Sequence, residues 1–335
     1  MSKDVIASGY DVERYILENQ DKLQNRFKHF GFKSMSDYVA YAKGFPIYLG
    51  GYDGSGKSEF TMELQLQLSE LYGEKHLIFT GEVGKVEEVY LELYWKYGKK
   101  PYNKFNHFGE PYKEHQTEDE RNASRQFINS HFLVVDALQV PEQFRFDDLT
   151  SELTNHLNIG LAVDDIDTIS IDGVYEVSRE DRPQTDQQLE ALLNKVYRHC
   201  QKENRTIFMT THVSAQNGLL KLPNGKSYPN IPTKYNWTMG MFWSRKGYQL
   251  INVYRPSPLY DYFGDGNLTA RNEVWINSEK SKPKGLSITG TAKLYFDLHA
   301  NRYYELIDGE KHFSRKWWEE ESAIQPNLEF EKPPF

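Results

Sequence analysis

Apolar runs and amphipathic stretches alternate through the middle of the chain. The run IYLGG begins after Pro46, and after a glycine-containing segment the pattern from Glu59 to Tyr72 predicts a helix. A second run, HLIFTG, precedes a second predicted helix from about Val86 to Tyr97. Because this order is strand, helix, strand, helix, we expect a parallel sheet with right-handed crossovers. The pattern therefore predicts an α/β fold.

Later apolar runs predict that the sheet is large. A long predicted helix between Thr185 and Lys202 lies among them and precedes RTIFMTTH. Residues 98–126 and 213–236 are polar and contain Gly, Pro and Asn, so we predict long loops, which usually carry function inside a compact domain. The further candidate strands are HFLVVDAL, DTISIDGV, RTIFMTTH, QLINVYR, NEVWINS and KLYFDL.

The two ends of the chain differ from its middle. Residues 1–30 carry apolar side chains at helical spacing, which predicts an amphipathic helix that needs another surface to cover it. After Trp318 the chain becomes acidic and contains proline, which is typical of a mobile tail. We therefore predict a linker helix over 1–30, a main domain over 31–316 and a tail over 317–335.

Length and composition are those of a folded, water-soluble protein. The 335 residues allow one large α/β domain or two smaller ones, and we favour one. No window approaches the roughly 18 apolar residues of a membrane span, and the first residues lack a signal peptide's apolar stretch. The single cysteine, Cys200, fits a reducing compartment and is expected to be a packed thiol and not a nucleophile. These features predict a cytoplasmic protein with no membrane partner.

The charge balance limits how the chain could bind nucleic acid. A net charge of −8 argues against a protein that coats duplex DNA over its whole surface. It leaves room for a narrow basic channel, and basic residues do cluster, although a solvated basic face explains such clusters equally well. The clustered residues are Lys221, Lys226, Lys234, Arg245, Lys246, Lys280, Lys282 and Lys284.

A phosphate-binding motif lies between the first predicted strand and its helix. The segment from Gly51 to Ser58 satisfies GxxxxGK[ST] in the strand–loop–helix context that the motif requires, against the alternative of an incidental glycine turn. Its backbone amides would face the phosphates, with Lys57 on the β- and γ-phosphates and the Ser58 hydroxyl on Mg²⁺. The predicted nucleotide-binding residues are Gly51, Asp53, Gly54, Ser55, Gly56, Lys57, Ser58 and Glu59.

Three more polar residues follow predicted strands. Asp172 comes at the end of DTISIDGV and is predicted as the acid associated with the magnesium ion. Glu82 follows HLIFTG, where a base could orient the attacking water. His212 ends RTIFMTTH at the same sheet edge, where it could sense the γ-phosphate or be a structural, hydrogen-bonded histidine.

The order of these motifs resembles the helicase domain of Twinkle-like and DnaB-like ring helicases, especially phage primase-helicases. The likeness runs over roughly residues 31–308, through GGYDGSGKSEF, FTGEV, DTISIDGV and RTIFMTTH to INSEKSKPKGLSITGTAKLYFDL. It implies a RecA-like P-loop core, with a mostly parallel sheet flanked by helices and an antiparallel extension. It implies the same roles for Lys57, Ser58, Glu82, Asp172 and His212.

The resemblance also implies an assembly and partners. It implies a ring of six subunits that hydrolyses ATP or a related triphosphate and moves on single-stranded DNA, with Lys280 and Lys282 acting on the neighbour's nucleotide. DNA contact is expected from loop 213–236 and from Arg245 and Lys246. A separate primase, a polymerase or a single-stranded-DNA-binding protein would be its partners, in a phage or plasmid-like replication system.

Three positions depart from the family pattern. Lys282 stands where Arg is usual, Asp53 where Pro is frequent, and Val83 where Asn often follows the catalytic Glu. An ammonium group cannot form the planar two-pronged contact of a guanidinium. Two alternatives therefore stay open beside the helicase: a RecA-like recombination ATPase that forms filaments on single-stranded DNA, and a nucleotide-binding regulatory module that does not move along DNA.

Overall fold

The computed structural model describes residues 9–18, 27–79, 85–106, 108–135, 165–173, 185–213, 219–221, 227–256, 272–282 and 287–319. The helices in these ranges are α1 (Gly9–Glu18), α2 (Lys57–Tyr72), α3 (Val86–Gly98), α4 (Glu118–His131), α5 (Asp186–Glu203) and α6 (Gly240–Lys246). The first strands are β1 (Phe27–His29), β2 (Ala40–Ala42), β3 (Ile47–Gly51), β4 (His76–Phe79), β5 (Phe132–Val135), β6 (Thr168–Ile171) and β7 (Thr206–His212). The later strands are β8 (Leu219–Lys221), β9 (Ser227–Pro229), β10 (Gln249–Tyr254), β11 (Glu273–Lys280), β12 (Gly290–Asp297), β13 (Arg302–Ile307) and β14 (Glu310–His312).

The main sheet places the phosphate loop near its centre. Among the described residues its strand order is β14-β13-β12-β11-β10-β3-β7-β6-β4-β5. The strands from β10 to β5 run parallel, and β11 to β14 continue the sheet as an antiparallel extension. Because the carboxyl ends of β3, β4, β6 and β7 meet at one edge, the residues that follow them share one cleft.

Helices cover both faces of the parallel strands, which explains their unbroken apolar sequences. On one face, α5 and α6 bury Leu193 and Trp243 against Tyr48 and Met209. On the other face, α2 buries Phe60 and Leu64 with the side chains of β3, β10 and the antiparallel extension. Cys200 is fully buried, and burial raises the pKa of its thiol, so it is a packing residue as predicted.

The structure differs from the sequence predictions in four segments. Helix α4 occupies part of the loop predicted over 98–126, and the β8–β9 hairpin lies inside the loop predicted over 213–236. The helix predicted over 1–30 is present at Gly9–Glu18, but Phe27–His29 is a strand that pairs with β2. Of the predicted tail, the structure describes residues 317–319, and Trp317 is buried with its Nε1 donating to the Phe30 carbonyl.

Candidate nucleotide-binding site

The phosphate loop forms where β3 ends and α2 begins. Gly54 and Gly56 have φ values of 70° and 89°, which residues other than glycine rarely adopt. These backbone turns let the loop curl back to the start of the helix. Helix α2 begins at Lys57, two residues earlier than the sequence pattern predicted. The Lys57 ammonium donates to the carbonyls of Gly51 and Tyr52, each at 3.2 Å, so it lies over the loop. Backbone amides, helix start and ammonium are together an arrangement that can bind an anion.

Ser58 and Asp172 meet across the cleft. Ser58 Oγ donates to Asp172 Oδ2 at 2.7 Å, and Asp172 is buried at the end of β6. Thr210 Oγ1 donates to the other carboxylate oxygen, Oδ1, at 2.9 Å and accepts from the Gly173 amide at 2.6 Å. Thr210 therefore fixes the orientation of Asp172. Thr210 is not among the residues predicted from the sequence, although its place two residues before His212 on the same strand face could have indicated it.

This donor set fits magnesium. Mg²⁺ prefers oxygen ligands and usually takes one or two from the protein and the rest from water and phosphate. A serine hydroxyl and a buried carboxylate 2.7 Å apart supply such oxygens. Among the described residues no group of three or more His, Cys, Asp or Glu side chains forms an all-protein metal site. The magnesium predicted here would therefore be held mainly by phosphate and water.

His212 lies beside the loop. Its position opposite Gly51 in the β3–β7 pairing brings its ring to Asp53, and Nδ1 is 2.6 Å from Asp53 Oδ1. The Asp53 side chain is 88% exposed and that of His212 34% exposed, so both face the cleft. The cleft has a volume of about 390 Å³ and its lining includes Asp53, Gly54, Gly56, Lys57, Ser58, Glu59 and His212.

An acidic pair and a buried lysine form the wall on the α3 side. Glu59 forms an ion pair with Lys96, which is fully buried and also donates to the Asn301 carbonyl at 2.9 Å. Burial, then the hydrogen bond and charge of Glu59, raise the pKa of Glu92 to about 9. Glu92 therefore keeps its proton to higher pH than an exposed glutamate does. Glu92 and Lys96 are not among the predicted residues, because charged residues on an amphipathic helix give no signal of their own.

Two further predicted residues are Glu82, which follows β4, and Lys280, which ends β11. Glu82 lies outside the described residues; its strand, β4, ends at Phe79 opposite Ile171, one residue before Asp172. Lys280 pairs with Leu250, which lies opposite Tyr48, three residues before Gly51. Its ammonium donates to the carbonyls of Ser244 and Arg245 on α6, and not to the phosphate loop of its own chain.

The lysines of the β11 end form a basic cluster. Burial, then repulsion by Lys282 and Lys234, lowers the pKa of Lys280 to about 8. The Lys282 ammonium lies 5.8 Å from the centre of the Tyr248 ring. Arg245 lies over the Phe242 ring, and Lys246 pairs with Glu190 at 2.9 Å.

Trp237 anchors the base of the 213–236 segment. Trp237 forms an isolated antiparallel β-bridge with Val213, so the two ends of the segment meet. Its Nε1 donates to Asn252 Oδ1 at 2.6 Å, and its indole occupies the space where any side chain at position 50 would lie. The segment is thus attached directly beside the phosphate loop.

Two solved structures share this architecture. One is an ATPase domain that aligns with a TM-score of 0.67 at 13% identity, covering 90% of this chain and 100% of that domain. The other is a DnaB-like replicative helicase, described together with its interactions with primase. It aligns with a TM-score of 0.61 at 14% identity, covering 90% of this chain and 67% of that one. The fold is RecA-like. The fold prediction is therefore confirmed, and these identities establish the fold alone.

Sequence comparison adds no closer relationship. No protein-family model matches the chain, and no curated protein matches it significantly. No helix in the described part of the chain is long and apolar enough to cross a membrane.

Proposed function

We propose that this chain is a nucleoside triphosphatase of the ring-helicase class that moves along single-stranded DNA. The observation that carries the proposal is the Ser58–Asp172 hydrogen bond of 2.7 Å at the mouth of a phosphate loop. A hydroxyl at the start of the loop's helix and an acid at the end of a nearby strand of the same sheet are the pair that P-loop enzymes use for magnesium. The RecA-like fold, shared with a DnaB-like helicase and with an ATPase domain, supports the choice of class.

Each residue in the cleft has a proposed task. The loop amides and Lys57 bind the β- and γ-phosphates of ATP or a related triphosphate, and Lys57 offsets negative charge on them. Ser58 and Asp172 would hold Mg²⁺, which when bound neutralises phosphate charge. Thr210 keeps Asp172 in place, and His212 contacts the γ-phosphate. Glu82, from the segment after β4, orients the attacking water.

Lys280 and Lys282 have proposed roles on the neighbouring subunit's nucleotide. The Lys280 ammonium contacts α6 and not its own phosphate loop, which agrees with action across a subunit boundary. This role requires a neighbouring subunit, and we propose a ring of six subunits with nucleotide between neighbours. The 213–236 segment, with Arg245 and Lys246, would face DNA in the centre. The DnaB-like structure was solved for its primase interactions, and a separate primase is a proposed partner of this chain.

Hydrolysis measured with and without single-stranded DNA tests the proposal, on protein whose subunit number is known from electron microscopy. We expect stimulation by DNA, closed rings, and loss of hydrolysis in Lys57→Ala with the fold retained. Lys202→Ala is a matched control, because Lys202 is 83% exposed on α5. Filaments would indicate the recombination ATPase instead, and hydrolysis indifferent to DNA would indicate the regulatory module. Retained hydrolysis in Lys57→Ala would refute the site.

A further inference from the structure

An acidic side chain inside a phosphate-binding loop is electrostatically unfavourable unless something compensates for it. Asp53 is the third residue of the loop, and its carboxylate lines the same cleft as Lys57 and Ser58. A bound triphosphate would place several negative charges nearby. The structure shows what compensates for Asp53: its Oδ1 lies 2.6 Å from Nδ1 of His212.

The bond also fixes the chemistry of the imidazole. An ionised carboxylate can only accept hydrogen bonds, so Nδ1 of His212 must carry the hydrogen. Any hydrogen bond from the ring to a phosphate oxygen is then made through Nε2. A histidine held by a carboxylate at one nitrogen has a defined ring orientation, which is how such pairs act in other enzymes. The other titratable side chains that line the cleft with His212 are Asp53, Lys57, Glu59 and Glu92.

We propose that Asp53 is a positioning residue for His212, holding Nδ1–H so that Nε2 faces the γ-phosphate. In return the ring keeps the Asp53 carboxylate to one side of the phosphate path. The two residues lie on adjacent elements, because Gly51 and His212 are paired in the sheet and Asp53 follows Gly51 by two positions. The proposal rests on the proposed function. Asp53 would affect the contact between His212 and the γ-phosphate without touching the phosphate itself.

Kinetics on a double-mutant cycle test the coupling. Asp53→Ala should lower kcat about tenfold with little change in KM, because loss of a hydrogen bond to a charged group acts on the step that uses His212. Asp53→Asn should retain most of the activity, because its amide oxygen accepts the same bond. In a His212→Ala background, Asp53→Ala should change kcat less than about twofold. Unchanged kcat in Asp53→Ala alone, or a full tenfold loss in both backgrounds, would overturn the proposal.

Nitrogen-15 NMR of the histidine rings gives a readout that does not depend on hydrolysis. The His212 signals are identified by their absence in His212→Ala. Nucleotide-free wild-type protein should show a protonated Nδ1 at His212, and Asp53→Ala should lose this preference. A non-hydrolysable ATP analogue with Mg²⁺, its binding verified by calorimetry, should shift the Nε2 resonance in wild type. An unprotonated Nδ1, or an Nε2 resonance that does not move when the analogue is bound, would overturn the positioning role even if the protein hydrolyses ATP normally.

Discussion

Arg302 in β13 forms a two-pronged ion pair with Glu63 in the middle of the helix that follows the phosphate loop. Nε and Nη2 of Arg302 lie 2.8 Å from Glu63 Oε2 and Oε1, and both side chains are fully buried. Nη2 also binds Glu70 at 2.9 Å. The antiparallel extension is therefore joined to the nucleotide-binding core by charge as well as by the sheet.

Removing Arg302 should destabilise the fold strongly. Burial alone would raise the pKa of Glu63, but Arg302 and Lys96 hold it below its ordinary value. Arg302→Met leaves Glu63 buried with its main partner gone, and we expect a loss of about 3–5 kcal/mol in the free energy of unfolding at pH 7. Denaturant titration measures it. A carboxyl group whose pKa is lowered in the folded protein stabilises the fold at pH values above its pKa in the unfolded chain. The stability difference between wild type and Arg302→Met should therefore shrink as pH falls below about 4.5.

Arg302→Lys separates charge from geometry. It keeps the positive charge but loses the planar fork, so a smaller loss than that of Arg302→Met is expected. Lys202→Met on the exposed face of α5 serves as a control and should change stability by less than about 0.5 kcal/mol. Equal stability of Arg302→Met and wild type would show that the pair does not hold the extension in place.

The Ser58–Asp172–Thr210 chain should govern the use of magnesium. Thr210→Val removes the hydroxyl that orients Asp172, while Thr210→Ser keeps it. We expect about a tenfold or greater loss in apparent Mg²⁺ affinity for the valine variant and near-normal affinity for the serine variant, because residues that orient a metal ligand typically contribute this much. Magnesium titration of nucleotide hydrolysis measures both. Equal affinities in the two variants would remove Thr210 from the site.

Lys280 should give hydrolysis a characteristic pH dependence. Its pKa of about 8, lowered by burial and then by Lys282 and Lys234, means that the ammonium loses its charge as pH rises through about 8. If the charge acts on the neighbour's nucleotide, kcat falls between pH 7 and 9. Lys280→Arg stays charged and should remove this fall. A wild-type rate that stays level to pH 9 would contradict the role, and Lys202→Arg should leave the profile unchanged.

Glu92 should make the protein less stable in alkali. Its folded pKa of about 9 lies above the unfolded value of 4.5, so the folded chain holds a proton that the unfolded chain releases. The contribution of Glu92 to the free energy of unfolding is therefore largest below about pH 4.5 and falls as pH rises towards 9.

Glu92→Gln mimics the protonated side chain. We expect thermal unfolding at pH 9 to occur at a higher temperature than in wild type, with little difference at pH 5. Glu87→Gln, on the exposed face of the same helix, should show no such change between the two pH values. An equal effect of Glu92→Gln at both pH values would contradict the account.

The sequence was most informative where a short local pattern determines structure. The phosphate loop and Asp172 could be located because a strand, a fixed glycine spacing and a following helix are all local signals. Helix α4 was missed because it is polar and buries only Ser124 and Ile128, although the cap Thr117 and Glu120 form a capping box visible in the sequence.

Other features depend on distant contacts and gave no local signal. Strand β1 exists because Phe27–His29 pair with Ala40–Ala42, and its three residues carry no pattern. The sequence predicted Lys280 near the end of a strand. The direction of its side chain, however, is set by the α6 carbonyl that its ammonium contacts. The contact between Asp53 and His212 follows from strand order, which places residues 159 positions apart side by side.

The 213–236 segment is attached beside the phosphate loop by contacts near its two ends, among them the Val213–Trp237 bridge and the Pro232 carbonyl that accepts from Asn252. Both ends of the segment leave from the Val213–Trp237 bridge, one residue after His212, and the indole lies against Gly50. A pull on the segment is therefore delivered to β3 and β7 within two residues of the groups proposed to bind phosphate. Asn252 of β10 accepts from the same indole and donates to the Pro232 carbonyl, so the segment is also coupled to the strand on the other side of β3.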